Sequence, residues 1–458
     1  LQIYTTQDPA IQKIVDEEVN NPDNYTAKRY SAEYRLSVTH GDGTTEHYSE
    51  RDMQSWHKNV LGDSHDGLYD SEEEVQADVD SYKAWLLKED DTIIGESLTK
   101  ILQPQVSFVL MDQKTGYVKA ISGGRGAKTA NLTLNRATNT PRQPGSTFKV
   151  ISAFAPALDT CGATLGTVYY DSVYSVGNKT FNNWYGQKYT GYSSIRDGII
   201  YSMNIVAVRC LMETVSPQLG LEYAENFGIT TLTSQDLGAS QALGGLTLGT
   251  TNLELTAAYA SIANEGIYTR PVFFTKILDH DGKILINNEP ETHRVLKDST
   301  AFLLTDAMAG SMETNRKFGS SINSTSARAN IPGMSNAGKS GTTSKNNDIW
   351  FVGYTPYYTA GIWAGCDSNQ KLTAQNGGTS FHKNIWRNIM TRVHENLSDP
   401  GFTVPDSVET AQICRKSGKL AIPGVCTEDP RGNAVYTEYF AKGTVPSEMC
   451  NTHVRATV

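Results

Sequence analysis

Behind Asp8-Pro9, apolar residues recur at Ile11, Ile14, Val15 and Val19. This is a three-four spacing with an acceptor at the N-cap and proline in the first turn, and it predicts an amphipathic helix. From about residue 23 to 100 the pattern turns polar and acidic, with runs such as Asp70-Ser-Glu-Glu-Glu74, and reads as a separate surface lobe. Its His40, His47, His57 and His65 show no tight ligand spacing and read as surface histidines. Apolar stretches at 106–111 and 117–121 flank a turn at 112–116 and predict a β-hairpin that opens a new domain. Helical patterns follow Ser146, Asn204 and Thr251, and another spans 299–312. Gly228 and Gly266 stand where helices stop. A second hairpin is expected over 273–286, and strands at 349–354 and 359–366 flank a Thr-Pro-Tyr-Tyr turn. Phe381, Ile385, Trp386, Ile389 and Val393 mark one face of a last helix. Hairpins and helices come in blocks without β-α alternation, so the expected class is α+β, an antiparallel sheet flanked by helices.

The chain's 458 residues suggest about three units. We divide it into an N-terminal linker lobe at 1–104, a central domain at 105–398 and a small C-terminal extension at 399–458. A net charge of −9 argues against a nucleic-acid partner. No apolar run reaches the ~18 residues of a membrane span; the longest, 151–158, contains Pro156. The chain opens on Leu1 without a basic-then-apolar leader, and is read as a fragment whose upstream anchor or signal is missing. Cys161, Cys210 and Cys366 lie in apolar contexts and read as buried thiols, whereas Cys414, Cys426 and Cys450 cluster in the loop-rich tail. One disulfide among those three is expected; a metal is the weaker reading, because no CxxC pair is present.

Two motifs compete for Lys339. Residues 333–340, Gly-Met-Ser-Asn-Ala-Gly-Lys-Ser, match the phosphate-loop pattern GxxxxGK[ST] in full. That loop needs a buried strand before it and a helix after it. Here the preceding segment is polar, and Gly-Thr-Thr-Ser follows. The rival reading joins Ser146-Thr-Phe-Lys149, Ser202-Met-Asn204 and Lys339-Ser340-Gly341-Thr342. Each is weak alone; together and in this order they form the S-x-x-K, S-x-N and K-[ST]-G set. At a helix start, residues i and i+3 share a face, so Lys149 can serve the Ser146 hydroxyl as base. Burial and a nearby cation would keep that lysine neutral, and Lys339 is a candidate for the cation. Arg142-Gln-Pro-Gly145 reads as the turn that delivers Ser146. Ser202 could relay a proton and Asn204 could hold a substrate amide. Residues 339–342 read as an edge strand whose Gly341 admits a substrate backbone, with Lys339, Ser340 and Thr342 suited to a carboxylate.

With these three motifs the chain resembles a class A penicillin-binding protein in its transpeptidase portion. The opening Leu-Gln-Ile-Tyr-Thr-Thr-Gln-Asp-Pro, the hairpin from Asp112 to Gly124, Ala242-Leu-Gly-Gly245 and Asn347-Asp-Ile-Trp-Phe-Val-Gly-Tyr-Thr-Pro356 carry the likeness too. The tail from about Val404 is similar to C-terminal extensions of some Gram-positive members. The resemblance implies a peptidoglycan D,D-transpeptidase in which Ser146 attacks D-Ala-D-Ala, Lys149 is the base, and Ser202 and Asn204 assist. Lys339, Ser340, Gly341 and Thr342 would bind the terminal carboxylate, and the N–H groups of Ser146 and Thr342 would form the oxyanion hole. It further implies stem peptides and β-lactams as partners, no metal or organic cofactor, and a place on the outer face of the bacterial cell membrane, held by a missing upstream anchor. A D,D-carboxypeptidase, a non-catalytic β-lactam sensor and a serine β-lactamase remain as alternatives. The last is disfavoured because 226–253 contains no glutamate and only Asp236 as an acid.

Overall fold

A computed structural model of the chain describes residues 1–128 and 130–454. Its centre is a five-stranded antiparallel sheet in the order Ala337–Thr342, Asp348–Tyr354, Thr359–Gly365, Gln105–Met111, Val118–Ser122. The expected hairpin at 106–121 is its far edge, and the strand bearing Lys339 is its near edge. Alternation along the buried strands makes the sheet two-faced. Phe108, Phe351 and Ile362 point to one side, where they meet the helices Pro9–Asn20 and Phe381–Val393. Trp350, Val352, Tyr354 and Trp363 point to the other, into a core of helices that includes Asn252–Ala263 and Asp298–Met312. The α+β expectation holds, and so does the first helix: Asp8 caps it by accepting from the N–H groups of Ala10 and Ile11.

The polar stretch after residue 23 conceals ordered structure. Thr45–Ser49, Arg29–Thr39 and Thr92–Gln103 form a three-stranded sheet in that order, and the helices Glu50–Trp56 and Glu72–Leu86 accompany it. The lobe's small core gathers Tyr34, Val38, Trp56 and Tyr82. His57 departs from the surface reading: it is buried, with Nδ1 2.9 Å from Asp63 and Nε2 2.9 Å from Asp78. Two carboxylates satisfy both ring nitrogens, which lets a polar ring enter the interior. The first strand, Gln2–Thr5, joins the expected second hairpin as a third strand.

In the tail, Val408–Cys414 pairs with Val435–Ala441. The expected disulfide is absent, since Cys414, Cys426 and Cys450 are all free thiols. Their sulfurs gather around the His453 ring, every donor atom within 4.8 Å of the others. Cys210 and Cys366 are buried as expected, whereas Cys161 is only partly so.

Gly361 is where the sheet meets the helix Asn252–Ala263. An added Cβ would fall 2.5 Å from Asn252 Oδ1 and closer still to Thr256 Oγ1. Asn252 Nδ2 also donates to the carbonyls of Ser107 and Gly361, at 3.0 and 3.1 Å, so the helix is pinned and cannot retreat. Gly361→Ala should therefore destabilise the chain by about 1–3 kcal/mol, the usual cost of overpacking. A thermal unfolding midpoint unchanged from the parent would contradict this contact.

Candidate active site

The Arg142–Gly145 turn is held from several sides. Arg142 exchanges backbone hydrogen bonds with Thr250, and its Nε donates to Asp348 Oδ1 at 2.6 Å. Trp350 Nε1 donates to Gln143 O at 2.9 Å, and the Tyr259 hydroxyl donates to Thr147 O at 2.8 Å. Gly145 has φ +56, the left-handed region that glycine enters without a Cβ penalty. The chain then rises through a 3-10 turn at Gly145–Thr147, a π-turn at Val150–Phe154 and an α-turn at Ala155–Asp159. The regular helix expected here is thus broken, and the widened turn sits just before Pro156, which has no N–H to donate.

Ser146 is half-buried, and its hydroxyl makes no hydrogen bond among the described residues. One turn on, Lys149 is fully buried. Its Nζ donates to Ser202 O at 2.6 Å and to Asn204 Oδ1 at 2.7 Å, and lies 3.2 Å from Ser202 Oγ. Burial first, and the positive charge of Lys339 second, push its pKa well below the usual lysine value. A neutral amine has two N–H groups and one lone pair. The two donors are taken by carbonyl oxygens, which leaves the lone pair for a hydroxyl.

Ser202 supplies the next link. Its φ of +52 is left-handed, an uncommon state for a residue with a side chain and one that recurs at functional sites. Its Oγ lies 2.8 Å from Lys339 Nζ, so a single hydroxyl touches both lysines. Asn204 opens the helix Asn204–Arg209, but it does not cap that helix. Asn183 does so from a distant loop, its Oδ1 accepting from the N–H groups of Asn204 and Ile205 at 3.0 and 3.2 Å. Asp171 in turn accepts from Asn183 Nδ2 at 2.7 Å. Asn183 and Asp171 lie in a segment without periodicity, and only the fold reveals their part in the site.

Lys339 is fully buried on the edge strand, and Nζ also donates to Ser340 O at 2.9 Å. Burial, and after it the charge of Lys383, lower its pKa to about 7. A carboxylate arriving beside it would restore the charged form. Lys383, on the helix Phe381–Val393, is itself lowered to about 8 by burial and by Arg328. Its isolated position in the sequence gave no sign of this role. Residues 337–342 form an antiparallel strand, with Lys339 opposite Val352, so the phosphate-loop reading fails for want of the strand-loop-helix it needs. Gly341 is also closely packed within the chain: an added Cβ there would meet Pro144 O and lie 3.0 Å from Thr147 Cγ2. The turn that leads into Ser146 thus requires glycine at 341 on packing grounds alone.

The acids beside the site are occupied. Asp236 is buried and accepts from Thr233 and Thr247 at 2.6–3.1 Å. Burial alone would raise its pKa, but these hydrogen bonds outweigh it and hold the group below the usual carboxylate range. Glu254 Oε2 closes a capping box with Thr251, and its Oε1 accepts from Thr230 N at 3.0 Å.

The family profile described as penicillin binding protein transpeptidase domain matches residues 106–391. A second, penicillin-binding protein 1A, C-terminal domain, matches 404–455. Penicillin-binding protein 1A of Clostridium tetani is 34% identical over 384 residues, which is 79% of this chain and 47% of that protein. The chain thus spans about half the length of this curated relative. The fold is shared with the crystal structure of penicillin-binding protein 1A from Haemophilus influenzae, at TM-score 0.69 and 20% identity over 98% of this chain and 73% of that one. It is shared as well with PonA1 of Mycobacterium tuberculosis in complex with penicillin V, at TM-score 0.60 and 20% identity over 88% of each chain.

Charge on Lys339 should govern capture of a carboxylate-bearing acylating probe. With the pKa of Lys339 lowered to about 7 in the free site, the second-order rate should fall as pH rises through that value. Lys383→Met removes a positive neighbour, so the pKa of Lys339 rises and the alkaline fall should move to higher pH. Stopped-flow rates between pH 5.5 and 9 would measure this, and a shift to lower pH would refute the coupling.

Proposed function

Since this chain belongs to the penicillin-binding protein transpeptidase family, we propose that it is a serine acyltransferase acting on peptidoglycan stem peptides, a D,D-transpeptidase that β-lactams acylate. The observation that carries the proposal is the continuous chain of contacts from Lys149 through the Ser202 hydroxyl to Lys339, one helical turn from the half-buried Ser146. Ser146 Oγ attacks the D-Ala-D-Ala carbonyl, and its proton passes to the lone pair of Lys149. The N–H groups of Ser146 and Thr342 receive the oxyanion. Support for that pairing comes from Gly145, where an added Cβ would lie 3.0 Å from Thr342 N, so the two donor segments touch. Ser202, in contact with both lysines, returns a proton to the departing D-Ala nitrogen. Lys339, Ser340 and Thr342 hold the terminal carboxylate, and Asn204 orients the donor amide. An amine of a neighbouring stem peptide then takes the acyl group.

The occupied state of Asp236 and Glu254 favours transfer over rapid hydrolysis. Neither carboxylate is free to activate water on the acyl-enzyme, as a β-lactamase requires. The complex of PonA1 with penicillin V supports β-lactams as ligands here as well. We keep the division at about residues 104 and 398 as part of this reading. Within the described residues no helix is long and apolar enough to cross a membrane. The place outside the cell membrane is proposed from the family likeness alone.

Fluorescent penicillin should label the parent protein once and leave Ser146→Ala unlabelled. Lys149→Ala should acylate about 10²–10⁴ times more slowly. Given a D-Ala-D-Ala peptide and an amine acceptor, the parent should release D-Ala and form the cross-linked product. Release with hydrolysed peptide alone would indicate a carboxypeptidase. Labelling with no release of D-Ala would indicate a sensor. Persistent labelling of Ser146→Ala would overturn the nucleophile.

A further inference from the structure

The C-terminal unit has a small apolar interior beside its buried Ile413 and Phe440. Its buried hydrophobic cluster consists of Cys414, Cys426, Ala434 and Cys450. Three of the four are cysteines, all unbridged, and they meet at one point with His453. The three sulfurs and one ring nitrogen lie within 4.8 Å of one another, and His453 Nδ1 is 3.3 Å from Cys414 Sγ and 3.5 Å from Cys450 Sγ. A tetrahedral zinc with Zn–S of about 2.3 Å and Zn–N of about 2.0 Å has ligand-to-ligand edges of about 3.5–3.8 Å.

The surroundings fit the same chemistry. Asp429 Oδ2 lies 2.8 Å from His453 Nε2. A carboxylate only accepts, so Nε2 carries the proton and the Nδ1 lone pair is turned toward the sulfurs. Arg431 holds that carboxylate in place, donating from Nε at 2.7 Å and from Nη2 at 2.6 Å. Two of the sulfurs accept backbone N–H groups, Cys414 from Lys416 at 3.4 Å and Cys426 from Ile422 at 3.3 Å. Such bonds stabilise negative charge on a thiolate.

We propose that Cys414, Cys426, Cys450 and His453 bind one Zn²⁺ in a closed, four-coordinate structural site. Three thiolates and one imidazole leave no open position, so the metal organises the fold and takes no part in acyl transfer. Binding displaces the three thiol protons to solvent, and no oxidant or reductant is involved. The metal draws together the end of one hairpin strand, the short turn at Cys426–Glu428 and the C-terminal segment. The same hairpin carries the buried Glu438, which accepts from Arg196 Nε at 2.7 Å and from Arg196 Nη2 at 2.6 Å. Arg196 lies on the helix Ile195–Ile200, which leads directly to Ser202.

The full chain, purified under reducing conditions without added chelator, should contain about one zinc per molecule by elemental mass spectrometry. After removal of zinc, added Co²⁺ should develop the sulfur-to-metal charge-transfer and intense d–d bands of a tetrahedral thiolate site. Cys426→Ser should lose both signals, while Cys161→Ser, outside the cluster, keeps them. Asp429→Asn should bind zinc about 10–100-fold more weakly, and this holds the proposal to account even if Cys426→Ser fails to fold. Chelation should also open residues 404–454 to proteolysis before the rest of the chain. Parent protein that takes up neither zinc nor cobalt would overturn the site. Iron with visible absorbance in place of zinc, or a disulfide among the three tail cysteines of protein purified without reductant, would also overturn it.

Discussion

Two buried lysines that share one hydroxyl set the terms for the rest of the centre. Taking an ammonium out of water costs several kcal/mol even after relaxation, and a second positive charge nearby adds to it. Burial and the charge of Lys339 push the pKa of Lys149 well below the usual lysine value, which favours the neutral amine. Carbonyl acceptors at Ser202 and Asn204 then satisfy both of its N–H groups. Among the described residues neither lysine pairs with a carboxylate, and one placed beside Lys149 would favour its charged form. The reactivity proposed for Ser146 is therefore a by-product of how the interior disposes of charge.

That arrangement is only as good as the geometry that holds it, and the holding is done from far away in sequence. The turn that carries Ser146 is fixed by Asp348 and Trp350 on the sheet and by Tyr259 on the helix behind it. The Ser202 turn is held on one side by Asn183 and approached on the other by the Arg196–Glu438 pair, which reaches into the C-terminal unit. Each support ends on a backbone carbonyl, a backbone N–H or a carboxylate. Small shifts of the separate layers are thus resisted at the few atoms that must stay in register.

Much of this was legible along the chain because three local patterns dictate local geometry. A serine three residues before a lysine at a helix start places both on one face. The Gly-rich K-S-G-T run favours a strand beside a close neighbour. The period-two and three-four patterns at 106–121, 349–366 and 381–393 marked the sheet and its covering helix. What remained hidden depends on contacts between segments. Lys383 is an ordinary helical lysine until folding sets it behind Lys339. His57 sits in an acidic stretch that looks wholly solvated until Asp63 and Asp78 close on it. The tail cysteines are spaced too unevenly to announce a cluster, and its fourth member, His453, is not a cysteine at all. The close approach of Gly341 to Pro144 and Thr147 is a contact of the same kind.

The two hydroxyl-bearing serines around Lys339 live under different stereochemical rules. Ser340 belongs to an extended strand, where a β-branched side chain is at home, so threonine is an equal candidate there. Ser202 sits at φ +52, where a branched Cβ crowds the backbone and threonine is excluded although its hydroxyl could do the same chemistry. Drift in sequence is thus free to exchange one alcohol of the cleft and forbidden to exchange the other. The reason lies in backbone handedness and not in reactivity.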